Sequence, residues 1–176
     1  MALLPIIIAP DPRLKVVSRP VGKVDAEVAR LMDDMLETMY DAPGIGLAAP
    51  QVGVPTRVIV VDIARKDKGE APIPLKMANP QLVATSEEMK PWDEGCLSLP
   101  EHYAEVTRPS RAVVRYLDEN NKRREIEADD MLAVCLQHEM DHLDGILFVD
   151  HVTALKRNMI LRKLRKAKRL GTLAAE

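Results

Sequence analysis

Between residues 25 and 41, apolar side chains recur at helical spacing (Val28, Leu31, Met32, Met35, Leu36 and Met39), which predicts an amphipathic N-terminal helix. Strand-like runs follow at 57–63, 75–83, 105–117 and 122–128, and the apolar start, residues 1–10, reads as a short strand with Pro5 at its edge. A second helix is expected over 131–143, which has no Gly or Pro, with Asp129 or Asp130 as its cap and Asp144-Gly145 as its stop. Leu132, Leu136, Met140 and Leu143 form one apolar stripe on it, while Met131, Val134 and Cys135 share the face of His138. A third, basic helix is expected over about 153–170, its stripe made of Leu155, Met159, Ile160, Leu164 and Ala167. Strands clustered between helices indicate an α+β fold, mainly antiparallel sheets around the central helix with N-terminal and C-terminal helices.

At 176 residues the chain suits one domain with a real core, here residues 1–176, and it shows no internal repeat. The Pro-rich stretch 71–74 reads as a loop rather than a linker. Two cysteines provide no disulfide framework and fit a reducing compartment. Residues 1–10 lack a basic leader region, and no apolar run approaches membrane-spanning length, so a cytoplasmic location is expected. Charge is unevenly placed. Residues 153–170 carry eight Lys or Arg and no acid, against 17 basic and 26 acidic residues in 1–152. The C-terminal helix therefore presents a cationic surface to any anionic partner.

The chemistry is concentrated in His138-Glu139-Met140-Asp141-His142. On a helix, two imidazoles four residues apart lie one turn apart on one face and can grip a single divalent metal, with Glu139 placed as acid and base. Such a metal lowers the pKa of a water from about 15.7 to about 7. A catalytic site of this kind needs a third protein ligand. The metzincin pattern fails because its last His falls on Phe148, and a thermolysin-like later Glu is missing apart from the terminal Glu176. Cys135 stands seven residues from His142, about 10 Å along the helix, too far to join it. Cys96, in Glu94-Gly95-Cys96-Leu97-Ser98, is the better candidate, and a thiolate with two imidazoles suits Zn²⁺ or Fe²⁺ rather than Mg²⁺ or Ca²⁺. His102 and His151 read as surface residues.

Gly44-Ile45-Gly46-Leu47-Ala48-Ala49-Pro50-Gln51, then Glu94-Gly95-Cys96-Leu97-Ser98, then Gln137-His138-Glu139-Met140-Asp141-His142, in this order, resemble the three signature motifs of the peptide deformylases, over about residues 3–165. The resemblance implies a metal-dependent hydrolase that removes the N-formyl group from the N-terminal formyl-methionine of nascent proteins and releases formate. It implies Cys96, His138 and His142 as ligands, Fe²⁺ as the usual native metal with Zn²⁺ or Ni²⁺ as substitutes, and Glu139 as the acid/base. Gln51 and the backbone amide of Leu97 would face the formyl oxygen as it gains charge. Ile45, Gly46 and Gly95 would pair with the substrate backbone as an added strand, a mode that tolerates many sequences. Met131, Val134 and Cys135 would wall the methionine pocket.

Two rivals stand beside this reading: a metallopeptidase that cuts internal peptide bonds, and a metal-stabilised ribosome-binding module without turnover. Since the implied substrate emerges from a ribosome, the basic C-terminal helix carries the hypothesis of a contact with ribosomal RNA or protein; no membrane partner is expected.

Overall fold

The computed structural model describes residues 1–172; the last four residues of the expected 1–176 domain lie outside the described residues. In chain order the elements are α1 (Ala26–Asp41), β1 (Gly46–Ala48), β2 (Val58–Val61), β3 (Leu75–Thr85), β4 (Met89–Cys96), β5 (Leu99–Pro109), β6 (Arg111–Leu117), β7 (Arg123–Asp129), α2 (Asp130–Leu143) and α3 (Ala154–Leu170). This is an α+β fold: β1-β2-β3-β6-β7 form one antiparallel sheet, and β4-β5 a separate two-stranded one.

The large sheet is covered on both faces, which explains why β2 reads as an unbroken apolar run, Val58-Ile59-Val60-Val61, with all four residues buried. Val58 and Val60 join Met32, Met35 and Met39 of α1, whereas Ile59 and Val61 point the other way, to Ala133, Leu136 and Leu143 of α2. A third cluster joins β5, residues 147–149 and α3 through Leu99, Val106, Phe148, Ile160 and Leu164. Helix α2 thus lies between the large sheet and the β4-β5 hairpin, with packing on more than one side.

Three expectations are corrected, and strand β4 is added to them. The run expected as one strand over 105–117 is two, because the chain leaves the hairpin at Pro109-Ser110 and enters the other sheet; Ser110 N–H donates to Glu88 O in register with the hairpin, while Ser110 O accepts from Asp130 N–H in register with β6-β7. Strand β4 escaped notice because Pro91, Gly95 and its charged residues lack a strand pattern, and its pairing with β5 comes from the backbone. Residues 1–10 form no strand: Ile7 N–H donates to Gln51 O and Ala9 N–H to Ser98 O, single bonds to two different segments. On α3, Ile160, Leu161 and Leu164 pack inward while Leu155 and Met159 are exposed, because they fall about 140° and 100° round the helix from Ile160.

The helix caps follow local chemistry more closely. Asp25 accepts from Val28 N–H at the start of α1, and Thr153 from Lys156 N–H at the start of α3. Asp129 holds the N-cap position of α2, yet its side chain makes no cap bond; Gly145, at φ +73°, ends the helix where expected.

Candidate metal centre

Helix α2 and the end of β4 build the centre together. His138 and His142 lie one turn apart, their ring centroids 5.1 Å apart and their planes at 72°. A register shift separates Gly95, paired with Tyr103, from Cys96, paired with Leu99 at the end of the hairpin, and Cys96 Sγ lies 3.4 Å from His142 Nε2. The ligand atoms of Cys96, His138 and His142 all fall within 4.8 Å of one another, the grouping of this kind found among the described residues. Ligands of a tetrahedral ion stand about 3.5 Å apart, so the spacing of this triad suits one shared ion.

The surroundings fit a cation. His138 Nδ1 is bound to Glu94 Oε1 at 2.9 Å, which leaves Nε2 for the centre. Burial opposes charge on His138, but its bonds to Cys96 Sγ and to the Glu94 carboxylate outweigh it and push its pKa well up. His142, buried and facing His138, is held neutral, the form in which imidazole binds metal.

Glu139 is buried, its Oε1 3.9 Å from His138 Nε2 and its Oε2 without a hydrogen-bond partner among the described residues. Burial pushes its carboxyl up to about 7, the range in which a group takes and returns a proton at neutral pH. Gly46 adjoins it closely, for a Cβ there would lie 2.5 Å from Glu139 Oε1. Gln51 is fixed at both ends: its Oε1 accepts from Ala48 N–H at 2.9 Å, and its Nε2 donates to Ser98 Oγ at 3.0 Å and to Cys96 Sγ at 3.4 Å. Leu97 is half-buried with its side chain over Gly44.

The remaining predicted residues are spread around the centre. Among the described residues β1 is an edge strand of its sheet and β4 pairs on one side only; Gly46 is buried, Gly95 is half-buried, and Ile45 just before β1 is exposed. Val134 and Cys135 are buried, and the Cys135 thiol, raised by burial, donates to Ile45 O at 3.6 Å. Met131 is exposed and meets Ile45 at a cavity of about 340 Å³ that Val134 and Cys135 do not line.

Sequence reasoning missed Arg108 and gave Glu94 no role. Arg108 clasps both Glu94 oxygens, at 2.6 and 3.0 Å, and donates to Asp141 Oδ2 at 2.9 Å. Burial would raise the Glu94 carboxyl, but its bonds to His138 and Arg108 bring it below the ordinary value, so it stays ionised. Glu94 stood in view two residues before Cys96; a lone Arg late in a strand carries no comparable signal.

Comparison with known proteins places this geometry. The polypeptide deformylase family profile matches residues 3–158. A peptide deformylase of Methylocella silvestris is 58% identical over 171 residues, 97% of this chain and 87% of that protein. The crystal structure of peptide deformylase from Ehrlichia chaffeensis superposes with a TM-score of 0.92 at 38% identity, covering 98% of this chain and 100% of that one. That of the Met-Ala-Ser-bound class I type b enzyme from Acinetobacter baumannii gives 0.80 at 33%, over 86% and 99%.

Proposed function

Since this chain belongs to the peptide deformylase family, and carries the activity that removes the N-formyl group from the formyl-methionine of nascent proteins and releases formate, we propose the following division of labour among its residues. Cys96, His138 and His142 hold one divalent ion, which when bound supplies Lewis acidity and a water acidic enough to attack near neutral pH. Glu139 is placed to take a proton from the attacking water as the water oxygen joins the formyl carbon, and to return it to the amine nitrogen as the C–N bond breaks and formate leaves. Gln51 Nε2 and Leu97 N–H stabilise the formyl oxygen as it gains charge, a contribution worth about 10²- to 10³-fold in rate. Gln51 is supported in this by its two anchors, which aim its amide group at Cys96.

The substrate backbone pairs as an extended strand with the edge strands at Ile45-Gly46 and Gly95, a mode consistent with the tripeptide bound by the Acinetobacter relative. Met131, Val134 and Cys135 wall the slot for the methionine side chain, Met131 from the exposed rim it shares with Ile45, and Val134 and Cys135 from the buried face of α2. Fe²⁺ is the native ion and Zn²⁺ or Ni²⁺ can replace it, as a thiolate with two imidazoles allows.

The observation that carries this reading is the convergence of Cys96 with His138 and His142 beside a buried, unpaired Glu139 oxygen. Its test is a formyl-methionyl peptide offered beside its unformylated twin, with metal analysis of anaerobically purified protein. Stoichiometric formate with an intact peptide chain and bound iron is expected; cleavage of an internal bond would overturn it.

Residues 1–176 act as one catalytic domain in the cytoplasm; no helix among the described residues is long and apolar enough to cross a membrane. The exposed cations of α3 contact ribosomal RNA or protein, supported by eight basic residues, seven of them exposed, on an otherwise acidic chain. Truncation after Leu155 should reduce ribosome co-sedimentation, with a salt dependence that the truncated chain loses; unchanged binding would end this part of the proposal.

A further inference from the structure

Within His138-Glu139-Met140-Asp141-His142, Met140 packs into the core and Asp141 has no part in the steps above. Yet Asp141 Oδ2 receives two donors: Arg108 Nη1 at 2.9 Å from the interior and His151 Nε2 at 2.8 Å from the surface. Arg108 grips Glu94, and Glu94 holds His138 Nδ1, so hydrogen bonds run unbroken from an exposed histidine to the ring of a metal ligand. The path passes from a side chain 37% exposed, at His151, to ones only 6% and 4% exposed, at Arg108 and Glu94.

A second contact joins the same places. His151 ends the short turn Phe148–His151, and the Phe148 ring stacks on His138, centroids 6.2 Å apart and planes 24° apart. The turn therefore touches His138 directly through an aromatic face and indirectly through four side chains.

We propose that Asp141 and His151 are positioning residues for the metal site: together they lock the Arg108-Glu94 pair and the Phe148 turn, and thereby the orientation of the His138 imidazole and the retention of its ion. Without the Asp141 carboxylate, Arg108 keeps Glu94 but loses its second anchor and can rotate, carrying Glu94 with it. Without the His151 donor, Asp141 loses its outer hold and the turn loses one of its ties. Partners behind a metal ligand typically change metal affinity by about 10- to 100-fold.

The inference rests on Cys96, His138 and His142 as the metal site. Full-length protein loaded with Co²⁺ alone gives two readouts besides activity: its visible spectrum, and the rate of Co²⁺ release to excess chelator. Asp141→Asn should release Co²⁺ about 10-fold faster with a shifted spectrum. His151→Phe should do so about threefold faster, and His151→Gln, which keeps a donor, should restore the wild-type rate. The surface pair of variants decides the matter even if Asp141→Asn folds poorly. Wild-type spectrum and release rate in His151→Phe, or equal acceleration in His151→Gln, would overturn the proposal. Failure of the wild type to bind one Co²⁺ with a thiolate absorption band would instead overturn the metal-site reading beneath it.

Discussion

Gly46 and Glu139 occupy adjoining space: a Cβ on Gly46 would stand 2.5 Å from Glu139 Oε1 and 2.9 Å from its Cδ. The edge strand and the acid/base are therefore set against each other, and the absence of a side chain on β1 defines where the carboxylate rests. Gly46→Ala should displace Glu139 and lower kcat on a formyl-methionyl peptide by about 100-fold, the scale of a 1 Å misplacement, with metal content unchanged. Steady-state kinetics with metal analysis checks it; an unaltered kcat would show that the carboxylate has room to spare.

Glu139→Gln preserves volume but cannot carry the proton. Formate release should fall by at least about 10²- to 10⁴-fold while the protein keeps its ion, since Glu139 is not among the three converging ligands. A variant that still turns over at wild-type rate would remove Glu139 from the proton transfers.

Arg108 and Glu94 are a buried ion pair, side chains 6% and 4% exposed. Arg108→Met removes the cation and leaves Glu94 as an uncompensated buried charge, which should cost about 3–5 kcal/mol of stability. Urea unfolding compared with the wild type measures it, and a loss under 1 kcal/mol would mean that His138 alone satisfies Glu94.

Far from the centre, Asp118 closes the β6-β7 turn by accepting from Asn120 N–H, Lys122 N–H and Arg124 Nε. The Arg124 hydrogen bond leads in holding its carboxyl below the ordinary 3.8. A pKa depressed by folding means that the folded state resists protonation, so Asp118 contributes stability above the ordinary value and loses it as pH falls through the lowered one. Asp118→Asn should therefore melt below the wild type at pH 7, with the gap closing as the pH drops under 3.8. Paired melting curves from pH 7 to pH 3 test this; a gap that widens in acid would contradict it.

The legible part of the site was local. His138 and His142 share a helix face because four residues make about one turn, and Glu139 follows by adjacency, so their grouping needs no knowledge of the fold. Cys96 came by elimination among few thiols and imidazoles, and the structure brings its sulfur to the two rings. Glu94 was visible in the same motif, but nothing along the chain states that its oxygen meets His138, 44 positions away. Arg108, Phe148 and His151 were silent for the same reason.

The sequence by itself determined the helices, most of the strands, the α+β class and the donor set of the centre, because periodicity, caps and motif spacing act over a few residues. Only the tertiary structure decided that 105–117 divides between two sheets, that residues 1–10 stay irregular, that Leu155 and Met159 face outward, and that Arg108 stands behind the metal ligand. Those outcomes depend on which strand edges meet and which faces are covered. Such choices are set by the packing of distant segments against one another, and a local pattern is compatible with more than one of them.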